Sequence, residues 1–249
     1  MKSFSLSVAL LAALTLAALA WAKPKEKEPA GKFVDSGSFG VFMGGHRVGT
    51  ETFTISQDQN GSVIHSEFKT EGSAEHAAQS SDLLLTSNGE IRRYDWKELS
   101  PGKAQSVVLP NEEFLNERWS AGPQEKEAEQ PFLLPPSTNI LDDYFFVHRE
   151  VLVWKFFATA CKQEKGQLQC PLRQHTQMGT LNPHQRSSAP VSMEFLGREK
   201  ISIHGSEQDL LKLGMKFESG DWQLWVDDTN QFKLQRISIP GDNTEVVRD

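Results

Sequence analysis

From Ser38 to Phe68 the chain alternates apolar and polar residues in short runs separated by Gly, Asn and Asp. Strict alternation marks half-buried β-strands, and Gly-Gly or Asn-Gly between two such runs marks a tight hairpin. Ser38–Met43 is followed by Gly44-Gly45, and a second run covers Arg47–Ile55. Val48, Phe53 and Ile55 do not share one parity, so a β-bulge is expected near Gly49. Asp58–Gly61 is the next turn and Val63–Phe68 the next strand. Asp82–Thr86, the turn at Asn88-Gly89, Ile91–Trp96, Gln105–Leu109 and Glu113–Trp119 repeat this grammar. Strands joined by such short turns pair with their neighbours in sequence, which predicts an antiparallel meander.

The period then changes. Residues 121–136 hold Gly122-Pro123, an acidic stretch and Pro135-Pro136, and read as a surface loop. After it, a helix is predicted near residues 139–158. Ser137 or Asn139 could cap it, with Asp142 and Asp143 favourably placed in its first turn. Leu141, Phe145, Leu152 and Phe156 form one apolar stripe, Phe146, Val153 and Phe157 a second, and Tyr144, Val147, Val151 and Trp154 a third. A helix apolar on so many sides must be covered on more than one. A strand from Val151 onward is the competing reading. Strands are expected again over Leu168–Met178, Ser192–His204, Leu210–Phe217, Trp222–Val226, Phe232–Ile239 and on to Val247, with a Pro/Ser loop over Asn182–Pro190. The pattern predicts a mainly β fold: a curved antiparallel sheet or half-barrel wrapped around one central α-helix.

The N-terminus follows a different logic. Lys2 precedes an apolar run from Phe4 to Ala20, and Ala20-Trp21-Ala22 is a small-x-small triplet before Lys23. This is the pattern of a cleavable signal peptide over residues 1–22. The alternative, a retained membrane anchor, would use a run at the short limit for crossing a bilayer. Residues 23–35 are expected as a flexible leader and 36–249 as a single domain. After cleavage no transmembrane segment is expected, because Ile140–Ala160, the most apolar later stretch, carries six charged or His side chains. The chain bears a formal charge of −7, and loss of Lys2 makes it −8. With no basic cluster to offset this, nucleic acid is not expected as a partner. In an oxidising compartment Cys161 and Cys170, separated by a stretch with a turn residue at Gly166, should form a local disulfide. A redox-active pair is the rival reading.

Candidate chemistry is sparse. The seven His residues show no i, i+4 pair and none stands beside a Cys, so no metal site is expected. There is no G-x-S-x-G, no phosphate-cradling loop and no H-E-x-x-H, so no catalytic residue and no cofactor is assigned. Asp142 and Asp143 are adjacent on the expected helix and point apart, which suits capping rather than paired acid–base work. The aromatic load is the most suggestive feature. Tyr144, Phe145, Trp154 and Phe156 are the candidate ligand-binding residues, lining a space between helix and sheet.

The order of parts is itself a pattern. A Gly-x-x-x-Gly-Gly-x-x-x-Gly hairpin (Gly40, Gly44, Gly45, Gly49) leads to the meander, then to Leu141-Asp142-Asp143, then to a Trp225–Asp228 hairpin running into Arg236–Pro240. This resembles uncharacterised bacterial envelope proteins of the domain-of-unknown-function type. More distantly it resembles the periplasmic lipoprotein-carrier half-barrels of the LolA and LolB kind. The resemblance implies a half-barrel around a helix and, for the carriers, an apolar ligand; it assigns no residue a role. The expectation is therefore a periplasmic or secreted, soluble, non-enzymatic protein that binds a lipid, another apolar or amphipathic ligand, or an envelope protein. A structural or assembly module with a filled core is the first alternative. A hydrolase whose site is assembled from distant strands is the second.

Overall fold

In a computed structural model, residues 31–72, 76–164, 167–217 and 220–249 are described. The expected signal peptide, most of the expected leader and the expected turn at Gly166 lie outside the described residues. The first arm of the sheet is a meander of β1 (Lys32–Met43), β2 (His46–Asp58), β3 (Gly61–Thr70), β4 (Ala78–Thr86), β5 (Ile91–Ser100), β6 (Gln105–Asn111), β7 (Phe114–Ser120) and β8 (Ala128–Phe132). A two-residue strand β9 (Asn139–Ile140), the helix α1 (Val147–Ala160) and a hairpin of β10 (Lys162–Glu164) and β11 (Gln167–Gln169) follow. The second arm is β12 (His175–Asn182), β13 (Ser187–Ile203), β14 (Ser206–Phe217), β15 (Gly220–Asp227), β16 (Lys233–Ile239) and β17 (Thr244–Arg248).

The arms join where β1 pairs with β17, giving one 15-stranded sheet that runs from β8 to β9. It is curved and open, not closed into a barrel, and consistent with a sheet wrapped around the helix. All pairs are antiparallel except β9 with β12. Gly44 and Gly45 take positive φ in the β1–β2 turn as expected, and the register shift between Val41 and Phe42 places the bulge opposite, beside Gly49. In β2 to β4 every second residue is buried, including Phe53, Ile55, Ile64, Phe68, Leu83 and Leu85, and these meet the helix in one core.

Several boundaries differ from expectation for tertiary reasons. β1 begins at Lys32, inside the expected leader, because Lys32 and Phe33 pair with Gln57 and Ser56. The loop over 121–136 contains β8, an edge strand on β7. The span expected as one strand, Leu168–Met178, is divided between β11 and β12, and the 182–190 loop is only a tight turn before β13. The helix starts at Val147, not 139. Asn139 and Ile140 pair with Thr180 and Leu181 instead, and the Leu141 N–H extends this to the Leu181 carbonyl at 3.0 Å. Asp142 is not a helical residue; its Oδ1 accepts the Tyr144 N–H at 2.9 Å in a local turn. The helix ends two residues later than expected, and Cys161 and Cys170 are joined in a disulfide across the β10–β11 hairpin. Among the described residues no helix is long and apolar enough to cross a membrane.

Candidate functional site

Neither Ser137 nor Asn139 caps the helix. Its N-terminus is met by Glu51, which reaches in from β2. The Glu51 carboxylate accepts the Phe146 N–H at 2.6 Å, the Val147 N–H at 3.2 Å and the Ser66 hydroxyl at 2.7 Å. A helix N-terminus offers unpaired donors and partial positive charge, so a carboxylate there is well placed. The side chain is nevertheless fully buried, and loss of hydration pushes the Glu51 carboxyl up to about 7 against these hydrogen bonds.

Beside it lies a polar cluster drawn from both arms. Asp142 is buried, and its Oδ2 accepts from Tyr94 at 2.5 Å and from His184 Nδ1 at 2.7 Å. Burial raises the Asp142 carboxyl, but the hydrogen bond and charge of His184 outweigh it and hold it below the usual range. His184 Nε2 lies 3.2 Å from Gln79 Oε1, the same oxygen that accepts from Trp96 Nε1 at 2.7 Å. An indole N–H only donates, so both His184 nitrogens face acceptors. The rings of Trp96 and Tyr144 flank the imidazole at 4.2 and 4.8 Å. Arg186, in the same turn, covers the Trp119 ring at 4.8 Å. The β12–β13 turn of the second arm thus latches onto β4, β5 and β7 of the first. Among the described residues His184 hydrogen-bonds Asp142 and Gln79, and these hold its ring in place.

Three further ionisable groups sit inside. Glu117 accepts from Ser106 at 2.6 Å, and burial pushes its carboxyl up to about 7. Burial lowers His148 to about 3; among the described residues its nitrogens have no hydrogen-bond partner, and its ring packs against Tyr94 and Phe145. Glu150 accepts the Leu234 N–H at 2.8 Å and Arg248 Nη1 at 3.0 Å, yet burial takes it to about 8. Among the described residues no three His, Cys, Asp or Glu side chains converge as metal ligands.

The four aromatic candidates do not share one space. Phe145 and Phe156 have no exposed surface and belong to the closed core. Tyr144 is half-buried against His184 and Phe68. Trp154 lines an open cavity. That cavity, about 560 Å³, lies beside the last two helical turns, with Phe157, Val34, Leu168 and Phe232 among its walls and Lys32 and Gln57 as polar members. Trp154 Nε1 donates to the Phe232 carbonyl at 2.9 Å, which fixes the indole as one wall.

Sequence reasoning did not single out Glu51, Glu117, His184 or Arg149. A usable signal existed for two: Glu51 shares parity with the inward Phe53 and Ile55, and Glu117 with the inward Leu115. Compared with known proteins, the chain matches no family model, no curated protein and no solved structure.

Proposed function

We propose that this is an exported envelope protein that binds a small apolar or amphipathic ligand without chemical conversion, in the cavity beside Trp154. The observation that carries the reading is the cavity itself. At about 560 Å³ it falls within the usual size of ligand sites, about 300–1,000 Å³, and it joins aromatic walls to a few polar groups. Lys32 among the lining residues favours a ligand with an acidic or polar head. Export is supported by the Ala20-Trp21-Ala22 triplet and by a disulfide that needs an oxidising compartment. N-terminal sequencing of protein recovered from the envelope should begin at Lys23; Met1 would exclude cleavage there.

The binding test is displacement of an apolar fluorescent dye by fatty acids and lysolipids, with Ala158→Trp to fill the cavity. The parent should bind dye and release it to a competitor, while the variant keeps its thermal midpoint and loses the dye. A parent that binds neither dye nor lipid would refute the reading. It would leave a structural or assembly module, a second reading favoured by the closed packing of Phe145, Leu152 and Phe156.

A further inference from the structure

The first helical turn carries an unusual cation. Arg149 is only 3 % exposed, yet no carboxylate lies within ion-pairing distance of it among the described residues. Its Nη1 donates to the carbonyls of Asp142 and Phe145, the latter at 2.9 Å. Its Nε is buried and has no hydrogen-bond partner. The guanidinium lies over the rings of Phe146 and Trp222, at 5.4 and 5.1 Å. Rings at that distance favour a cation but do not neutralise it. Asp143, Asp142 and Glu51 act on the guanidinium through space but none pairs with it directly, and a buried charge without a direct partner is costly to keep.

Arg149 lines a cavity of about 270 Å³, separate from the one beside Trp154 and at the other end of the helix. The other polar groups in its wall are already committed. Asp143 accepts from Asn182 Nδ2 at 2.6 Å and Gln185 Nε2 at 3.2 Å. Asn182 Oδ1 accepts the Gln185 N–H, and the Thr180 hydroxyl donates to the Ala189 carbonyl. Ser187 Oγ donates to Gln185 Oε1 at 3.5 Å, and the rest of the wall is apolar: Leu141, Ala189 and the Phe217–Trp222 ring pair, whose centroids are 5.2 Å apart. An occupant must therefore bring an acceptor for Arg149 and an apolar body for the rings. Asp142 and Asp143 stand close by, which disfavours a multiply charged anion such as phosphate.

We infer that this cavity is a second binding site, for a small organic monocarboxylate whose carboxylate pairs with Arg149 and whose apolar body rests on Trp222 and Phe217. The planar fork of Arg suits a carboxylate better than a point charge would. This site does not depend on the cavity beside Trp154.

Isothermal titration of the whole protein with sodium benzoate and sodium hexanoate tests it, with benzamide as a neutral analogue and inorganic phosphate as a rival anion. Benzoate should bind one to one, and benzamide and phosphate at least about tenfold more weakly, the scale expected for losing a charge-assisted hydrogen bond. Arg149→Lys keeps the charge and loses the fork, and should weaken benzoate by a similar factor. Because Arg149 also holds two carbonyls, Ala189→Phe is the companion variant; it leaves Arg149 in place and fills the cavity. It should lose benzoate binding while keeping the parent's thermal midpoint. Ala158→Trp, which fills the other cavity, should leave benzoate binding unchanged. The inference is overturned if neither carboxylate binds with even millimolar affinity, or if phosphate or benzamide binds as tightly as benzoate. It is equally overturned if Ala189→Phe binds benzoate normally, or if Ala158→Trp abolishes that binding.

Discussion

Replacing Glu51 with Gln isolates the group that holds the helix N-terminus. The folded carboxyl titrates near 7 and the unfolded one near 4.5. Between those values the folded protein keeps a proton that the unfolded chain has released. Stability therefore falls as pH rises through this window. The separation corresponds to about 3 kcal/mol, at 1.36 kcal/mol for each tenfold change in acidity. Gln is neutral throughout and still offers one carbonyl oxygen to the Phe146 and Val147 N–H groups. At pH 5 the variant and the parent should differ little. By pH 8 the variant should have gained about 3 kcal/mol relative to the parent. Urea titrations of both proteins at the two pH values give the number, and taking the difference cancels every other titrating group. Curves that stay parallel from pH 5 to 8 would refute the assignment of burial as the dominant influence on Glu51. Glu51→Ala gives the contrast. It strips an acceptor from two backbone donors and Ser66, each left unsatisfied at about 1–3 kcal/mol, and should be destabilising at both pH values.

Other perturbations follow from the same geometry. Phe145→Ala should lose about 3–5 kcal/mol in a denaturant titration, because Phe145 is closed core and not a cavity wall; a loss under 1 kcal/mol would mean the site is open. His184→Ala removes one of the two side-chain hydrogen bonds to the buried Asp142 Oδ2 and should cost about 1–3 kcal/mol. A variant as stable as the parent would show that the β12–β13 turn does not latch the two arms. Replacing Cys161 and Cys170 together with Ser should lower stability by about 2–3 kcal/mol on the loop-entropy account. Free alkylation of both thiols in protein isolated without reductant would contradict the bond. For the parent, stability should fall as pH rises from about 4.5 to about 8, because over that range the folded protein keeps protons on Glu51, Glu117 and Glu150 that the unfolded chain has released, while His148, held near 3 in the folded state, offsets part of the fall below 6.5.

The strands were legible because their signals are local. Gly44-Gly45 and Asn88-Gly89 permit turns that few other residue pairs would, and alternation assigns Phe53, Ile55, Leu83 and Leu85 to one face. The helix start was not legible, because residues at its N-terminus answer to distant partners. Asn139 and Ile140 are drawn into pairing with Thr180 and Leu181, and Glu51 supplies a cap from 95 residues away. No spacing rule reaches so far. His184 fell in a stretch read as loop, and its role depends on Asp142 and Gln79, 42 and 105 residues distant. The density of aromatic residues on the helix marks them as candidates, but density does not say whether a ring fills a core or walls a cavity. Only the curvature of the sheet decides that, which is why Phe156 is closed off while Trp154, two residues earlier, is not.

The helix is held differently at its two ends, and this bears on how the two proposed sites would behave. Its first turn is held by hydrogen bonds from buried ionisable groups: Glu51 on the backbone, Arg149 on two carbonyls, Glu150 on Leu234 and Arg248. Such contacts are directional and fix the helix against both arms of the sheet. Its last turns are held by fewer directional bonds, chiefly the Trp154 indole on Phe232, and end in the disulfide-closed β10–β11 hairpin. A ligand beside Trp154 can therefore replace one set of apolar contacts with another without breaking a buried ion pair. A ligand beside Arg149 cannot displace anything so freely and must complete an unsatisfied charge. The first site should tolerate a range of apolar bodies. The second should discriminate sharply on the carboxylate and be nearly blind to a neutral analogue, so the ratio of benzoate to benzamide affinity reports which of the two sites is being filled.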